Sequence, residues 1–310
     1  VTTFTEMIDE VLINLSGYTY QQDRSTYLTA AVTTLTSPSS SPTILSLGST
    51  DSVGKGIIEV GEELMWIDSF DRVANTATIA PYGRGYLGTT ASTAAVDTKV
   101  SISPIFPRYS VKKAINDTIR AVATQLMVVK QTTFTFNAAQ NTYELKDSSG
   151  NPLNIESILT VMWQDTGPSQ EWIRVNRYDF DPLAETATWG EGSQTITIYD
   201  YITPGRTVKI MYVTQASAFT SNSQIFTTQT GFPESARDVI ILGSAYRLLT
   251  YLDPARASQI SPQADEIDAK RPFGSANTAA RQLFALYQQR LREEISAFQG
   301  QYPPRIRFNR

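Results

Sequence analysis

The hydrophobic period changes four times along this chain, and that alternation limits what it can fold into. Phe4, Met7, Ile8, Val11, Leu12 and Leu15 recur at helical spacing, one stripe of a 3.6-residue period. Thr3 followed by Glu6 has capping-box spacing, and Gly17 is placed to end this first helix. From Tyr27 to Phe106 the pattern becomes short β-type runs, Thr43–Leu47, Gly56–Val60, Leu64–Ser69, Thr76–Ala80 and Lys99–Ser103, separated by Gly, Asp and Asn turns. The segment Thr36–Pro42 reads as a Ser/Pro loop.

A helical stripe returns at Val111, Ala114, Ile115, Thr118, Ile119, Val122, Leu126 and Val129, with Ser110 as its cap. A second β region follows over 131–216, with strands at Phe134–Phe136, Tyr143–Leu145, Ile158–Trp163, Trp172–Arg177, Thr195–Tyr199 and Val208–Val213. Pro233 opens a third helix that is apolar nearly all round and ends at Asp253-Pro254. A fourth runs from Ser275 to Phe298 on the stripe Ala276, Ala280, Leu283, Tyr287, Leu291, Ile295 and Phe298, and Gly300 stops it.

The resulting expectation is an α+β chain. A four-helix bundle carries two inserted small β domains and an extended C-terminal tail. Its helical core takes residues 1–24, 108–130 and 217–300. The inserts take 25–107 and 131–216, and the arm is 301–310.

Composition narrows the chemistry. The 310 residues include no histidine and no cysteine. That removes Ser-His-Asp hydrolysis, thiolate chemistry, disulfides, and the commonest metal ligands. Net charge is −4, so the whole chain is not a nucleic-acid wrapper. No apolar run approaches the ~20 residues that span a bilayer, and the N-terminus shows no signal-peptide pattern. These features predict a non-enzymatic protein made in a cytoplasm, with no catalytic residue, cofactor, metal or membrane partner.

Three motifs need weighing. Gly83-Arg-Gly85-Tyr-Leu-Gly88 matches G-x-G-x-x-G, but no helix start follows it. A dinucleotide loop needs that helix N-terminus, so a glycine-bent turn is the expectation. Acidic residues gather at Glu59, Glu62, Glu63 and Asp68, and again at Asp179, Asp181 and Glu185. Strand-edge acids ordinarily face water and discourage edge pairing, so catalysis or Ca²⁺ binding by them is the minor reading. Trp163, Trp172 and Trp189 could bind sugars from a β face, but aromatics of this kind more often fill a core.

The C-terminal segment differs from the rest. Lys270 to Arg310 holds eight basic and two acidic residues in a chain of net charge −4. In the last ten, Ile306 and Phe308 alternate with Arg305 and Arg307 after Pro303-Pro304. Extended, ten residues reach about 33 Å, and this composition suits a strand-like arm on a partner's surface.

Three stretches resemble the head–tail adaptor (connector, or head-completion) family of tailed bacteriophages. They are the helix Tyr109-Ser-Val-Lys-Lys-Ala-Ile-Asn-Asp-Thr-Ile119, the run from Ile196 through Gly205–Tyr212 to Gly231–Leu249, and the Gly83–Thr90 turn. The resemblance implies a homo-oligomeric, dodecameric ring under the portal protein at the virion neck, with a downstream tail or neck protein below. Genome DNA would cross its channel without sequence-specific binding. It also implies a portal-docking arm, for which the residues are Tyr302, Arg305, Ile306, Arg307, Phe308 and Arg310. A tail-completion protein and a carbohydrate-binding β module are the alternatives.

Overall fold

A computed structural model describes residues 2–16, 24–33, 42–147, 149–167, 170–250 and 275–302. Helix α1 (Phe4–Ser16) buries Phe4, Met7, Ile8, Val11 and Leu15, the stripe read from the sequence. Six strands follow: β1 (Ser25–Tyr27), β2 (Thr43–Ser46), β3 (Gly56–Val60), β4 (Glu63–Asp71), β5 (Thr76–Ile79) and β6 (Lys99–Ile102). They form one antiparallel sheet in the order β1-β6-β3-β4-β5-β2. Its two ends meet. Leu28, just past β1, bridges Leu47, just past β2, while the Gly48 N–H donates to the Tyr27 carbonyl and the Thr29 N–H to that of Ser46, each at 2.9 Å. Leu28, Leu45, Ile58, Met65, Ile67, Ile79 and Val100 fill the interior.

Helix α2 (Arg108–Ala123) leads to β7 (Val128–Thr135). The sequence reading carried this helix to Val129. It ends at Ala123 because the β-branched run Val128-Val129 is taken into a sheet. Its first residue is Arg108, so Ser110 lies inside the first turn.

Strands β8 (Thr142–Glu144), β9 (Ser157–Gln164), β10 (Trp172–Arg174), β11 (Tyr178–Asp181), β12 (Thr195–Ile198) and β13 (Thr207–Thr214) complete the β structure. A four-stranded sheet runs β10-β9-β13-β7 and a three-stranded one β11-β12-β8. Val161, Val208, Ile210 and Tyr212 of the first share one core with Tyr143, Ile196 and Ile198 of the second. The short α3 (Thr186–Trp189) and α4 (Phe226–Thr230) lie in the connections. A single 3₁₀ turn, Glu234–Ala236, precedes α5 (Arg237–Thr250), and α6 (Ser275–Gln301) follows. The last helix passes through Gly300 instead of stopping there. The expected loop at Thr36–Pro42 and helix end at Asp253-Pro254 lie largely or wholly outside the described residues.

The four-helix bundle is not what forms. Four helices of seven or more residues are present among the described residues, against thirteen strands in three sheets. The chain divides into two compact units, one made of 4–118 with 238–290, the other of 1–3, 119–237 and 291–310. That division falls inside α2 and α6, so each unit combines sheet with lengths of helix. Among the described residues two clusters of buried side chains are built on sheets, and the helices bury their own apolar faces beside them.

Within the first unit α5 still approaches its neighbours closely. A Cβ at Gly243 would meet Thr118 Cγ2 at 2.5 Å and the Tyr287 ring at 3.0 Å. Only a glycine permits that spacing.

Candidate interaction surfaces

The G-x-G-x-x-G segment is a turn held by buried charge. Glu63 opens β4 and is fully buried. Its Oε1 accepts from Arg84 Nε at 2.9 Å and the Gly85 N–H at 3.0 Å. Oε2 accepts from an Arg84 terminal nitrogen at 2.6 Å and the Ser92 N–H at 2.9 Å. The same Arg84 nitrogen also donates to the Ser92 carbonyl at 2.8 Å. Such a bidentate, backbone-supported pair fixes geometry as well as charge. At Gly83, a Cβ would sit 2.8 Å from the Ala80 carbonyl oxygen, so the turn requires glycine there. Tyr82 and Leu87 adopt left-handed backbone, at φ 59° and 56°. Both side chains are exposed, as is Trp66, whose ring lies 5.4 Å from that of Tyr86.

Strand-edge acids facing water was the expectation for the first acidic cluster, and it fails for two of its members. Glu59 and Glu63 are buried. Glu59 Oε1 accepts the Arg108 N–H at 2.6 Å, meeting one of the orphan donors at the start of α2. Glu62 pairs with Lys112, and Asp68 faces Lys55 at 3.7 Å. Arg108 also reaches Asp9 of α1 at 2.6 Å. Each carboxylate of this cluster therefore has a structural partner.

The second cluster is exposed: Asp181 accepts the Leu183 N–H at 2.9 Å and Glu185 the Thr188 hydroxyl at 3.3 Å. Among the described residues no group of three or more His, Cys, Asp or Glu is placed to hold a metal, and no helix is long and apolar enough to cross a membrane.

The tryptophans divide. Trp163 packs against the second core. Trp189 is half-buried in α3. Trp172, expected as core filler, is 37% exposed on the short edge strand β10. The Lys209 ammonium sits 4.0 Å from its ring centroid, a cation–π contact on the sheet surface.

Of the arm residues, Tyr302 is described; Arg305, Ile306, Arg307, Phe308 and Arg310 lie outside the described residues. The Tyr302 ring lies 5.3 Å from that of Phe298. Both line an open pocket of about 400 Å³ with Leu126, Val129, Phe232 and Glu294. Glu294 is buried and accepts from the Ser235 hydroxyl at 2.8 Å. The sequence reading missed this residue, although the signal was there. Position 294 falls three beyond Leu291 and seven beyond Tyr287, on the apolar stripe of α6. A carboxylate on such a stripe marks a site where charge is used.

A second, polar pocket of about 810 Å³ is lined by Lys130, Asp147, Glu156, Gln194, Tyr212 and Gln215 among others. Burial, reinforced by the negative Asp147, pushes the Tyr212 phenol upward, so it stays protonated and is a hydrogen-bonding group, not a base.

Compared with known proteins, the chain matches the family described as SU10 adaptor protein over residues 89–306, more than two thirds of its length. No curated protein matches it.

Proposed function

This chain belongs to the SU10 adaptor protein family, phage structural proteins of the virion, and from that membership we propose that it is a head–tail adaptor. In this reading copies of the chain form a ring, dodecameric by the family resemblance, beneath the portal at the virion neck. The ring extends the DNA channel and meets a tail or neck protein below. It is assembled in the host cytoplasm.

The observation that carries the reading is the reach of the family match. It spans the second pair of sheets and α6 and ends at Ile306, within the C-terminal arm. The arm is basic and partly apolar in a chain of net charge −4. Arg305, Arg307 and Arg310 supply charge-assisted hydrogen bonds to portal carboxylates. Tyr302, Ile306 and Phe308 supply the apolar anchors that dominate such contacts. A net negative body suits a channel through which DNA slides without sticking.

Cosedimentation with the cognate portal ring tests this. The full-length chain should bind stoichiometrically. A chain ending at Tyr302 should keep its circular dichroism and lose portal affinity at least a hundredfold. Undiminished binding by the truncated chain would show that the arm is not the dock. A folded full-length chain that ignores the portal but crosslinks to tail proteins in virions would replace the adaptor with a tail-completion role.

A further inference from the structure

The two sheets of the second unit carry opposite charge on their outer faces. We propose that the outer face of the four-stranded sheet binds the outer face of the three-stranded sheet of a second copy, with Arg174 and Lys209 meeting that copy's Asp179 and Asp181. The inference rests on the ring reading and adds to it which surfaces join.

Strand pairing sets which side chains share a face. Across the four-stranded sheet Arg174 pairs with Met162, Met162 with Lys209, and Lys209 with Thr133. These four form one row pointing away from the core. Trp172 and Met211 flank it on the same face, each two residues along its strand. The strands of this sheet contain Lys130, Arg174 and Lys209 and no acidic residue. Arg174 and Trp172 are exposed, while Lys209, Met162 and Met211 are half-buried. Arginine, tryptophan and methionine are the residues that protein contacts favour over other surface.

The three-stranded sheet is the complement. Its strands contain Glu144, Asp179 and Asp181 and no basic residue. Tyr143, Tyr178, Phe180, Ile196 and Ile198 pack toward the core, so the alternating carboxylates point outward. Asp181 and Glu144 lie on either side of Thr195, and Asp179 pairs with Thr197. Lys146 offsets Glu144 at 2.8 Å, and Arg177 stands just ahead of β11. Negative charge is therefore concentrated at the exposed Asp179 and Asp181.

The spacings agree. Arg174 and Lys209 stand two strands apart, about 10 Å between backbones, and Asp179 and Asp181 about 7 Å apart along one strand. The long basic side chains cover that difference. Because the two sheets share one core, their outer faces point opposite ways, and each copy can use one face with each neighbour. Such a head-to-tail contact generates a ring when its rotation closes. The smaller face measures roughly 200 Å², against about 800 Å² per partner in a stable complex. The pairing is therefore weak alone and takes effect where copies are gathered side by side.

The chain has no cysteine, so engineered thiols read the contact directly. One full-length chain carries Thr133→Cys, in the row of Lys209, and another Leu183→Cys, two residues beyond Asp181. Both positions are exposed. A short bismaleimide is added to each chain and to their mixture, in free solution at low salt and on cognate portal rings. The mixture should give at least tenfold more covalent dimer than either chain alone. Raising salt to screen exposed charges should cut the free-solution yield several-fold.

Arg174→Glu with Lys209→Glu should abolish the crosslink, and Asp179→Lys with Asp181→Lys added to both chains should restore it. Equal yields from the mixture and from either chain alone, in solution and on the portal alike, overturn the proposal. So does a doubly reversed chain that is folded by circular dichroism and fails to crosslink. Copies that assemble on the portal without this crosslink remove the pairing and leave the adaptor reading. The crosslink in a chain that ignores the portal keeps the pairing and removes the adaptor.

Discussion

The six-stranded sheet and the four-stranded sheet solve the same edge problem in opposite ways. In the first, the strands at either end are three and four residues long, and the chain beyond them bridges one end to the other at Leu28 and Leu47. In the second, β7 offers eight residues of open backbone among the described residues. The first sheet also fixes its outer turn with a fully buried carboxylate–guanidinium pair, whereas the second carries a half-exposed cation–π contact between Lys209 and Trp172 on its surface.

The sharpest test of that contrast is Glu63→Ala. It strands the Arg84 guanidinium in the interior and should cost about 3–5 kcal/mol, the usual penalty for breaking a buried pair. Denaturant unfolding measures it, and a loss under 1 kcal/mol would show that the turn tolerates an unpaired charge.

A smaller effect is expected in the second unit. Tyr143 is buried, and its hydroxyl accepts the Asn137 N–H at 2.9 Å while donating to the carbonyl of Asn137 or Gln140, each at 2.9 Å. Tyr143→Phe should cost about 1 kcal/mol, read from the same transition. A loss equal to that of Glu63→Ala would erase the distinction between the sheets.

The smallest effect is in pH. Burial works to raise the Glu144 carboxyl, but hydrogen bonds from Lys146 and Ser193 overcome it and hold the pKa low. Asp147 is lowered chiefly by the Asn151 N–H, with Ser149 assisting. Both folded values lie below the unfolded ones, near about 4. Their contribution is therefore complete above that value and fades as pH falls through the depressed folded pKa. Urea midpoints of Asp147→Asn and the parent chain should differ at pH 6 and converge in strong acid. A gap that widens on acidification would reverse the sign.

Much of this structure is legible in the sequence where one face is apolar. The α1 stripe and strands β2 to β6 follow directly from period and turn residues. Strand β11 escaped because its exposed positions are Asp179 and Asp181, which disguise the alternation of Tyr178 and Phe180. Helix α2 was read too long because Leu126 and Val129 continue the 3.6-residue stripe, while Leu126 lies in the bend after the helix and Val129 pairs with Val213 of β13. The bundle failed for a deeper reason. A helical stripe shows that a face is buried, not whether helix or sheet covers it.

The candidate surfaces divide along the same line. The arm stands out in sequence through charge and pattern alone. Glu63 and Arg84, twenty-one positions apart, carry no local sign of their pairing, since only the return of the chain across β4 and β5 brings them together. Burial of Glu59 at the head of α2 is equally invisible, because its partner is a backbone N–H forty-nine positions on.

Closure of the first sheet also has a consequence in time. Ser25 of β1 pairs with Ser101 of β6, so the earliest strand to leave a ribosome waits for one of the last in its sheet. Pairings so distant in sequence slow folding, because the loop between them must be ordered before contacts repay it. Refolding of this chain should therefore be limited by the meeting of β1 with β6, and a nascent chain halted before Lys99 should leave β1 without its β6 partner and more open to protease.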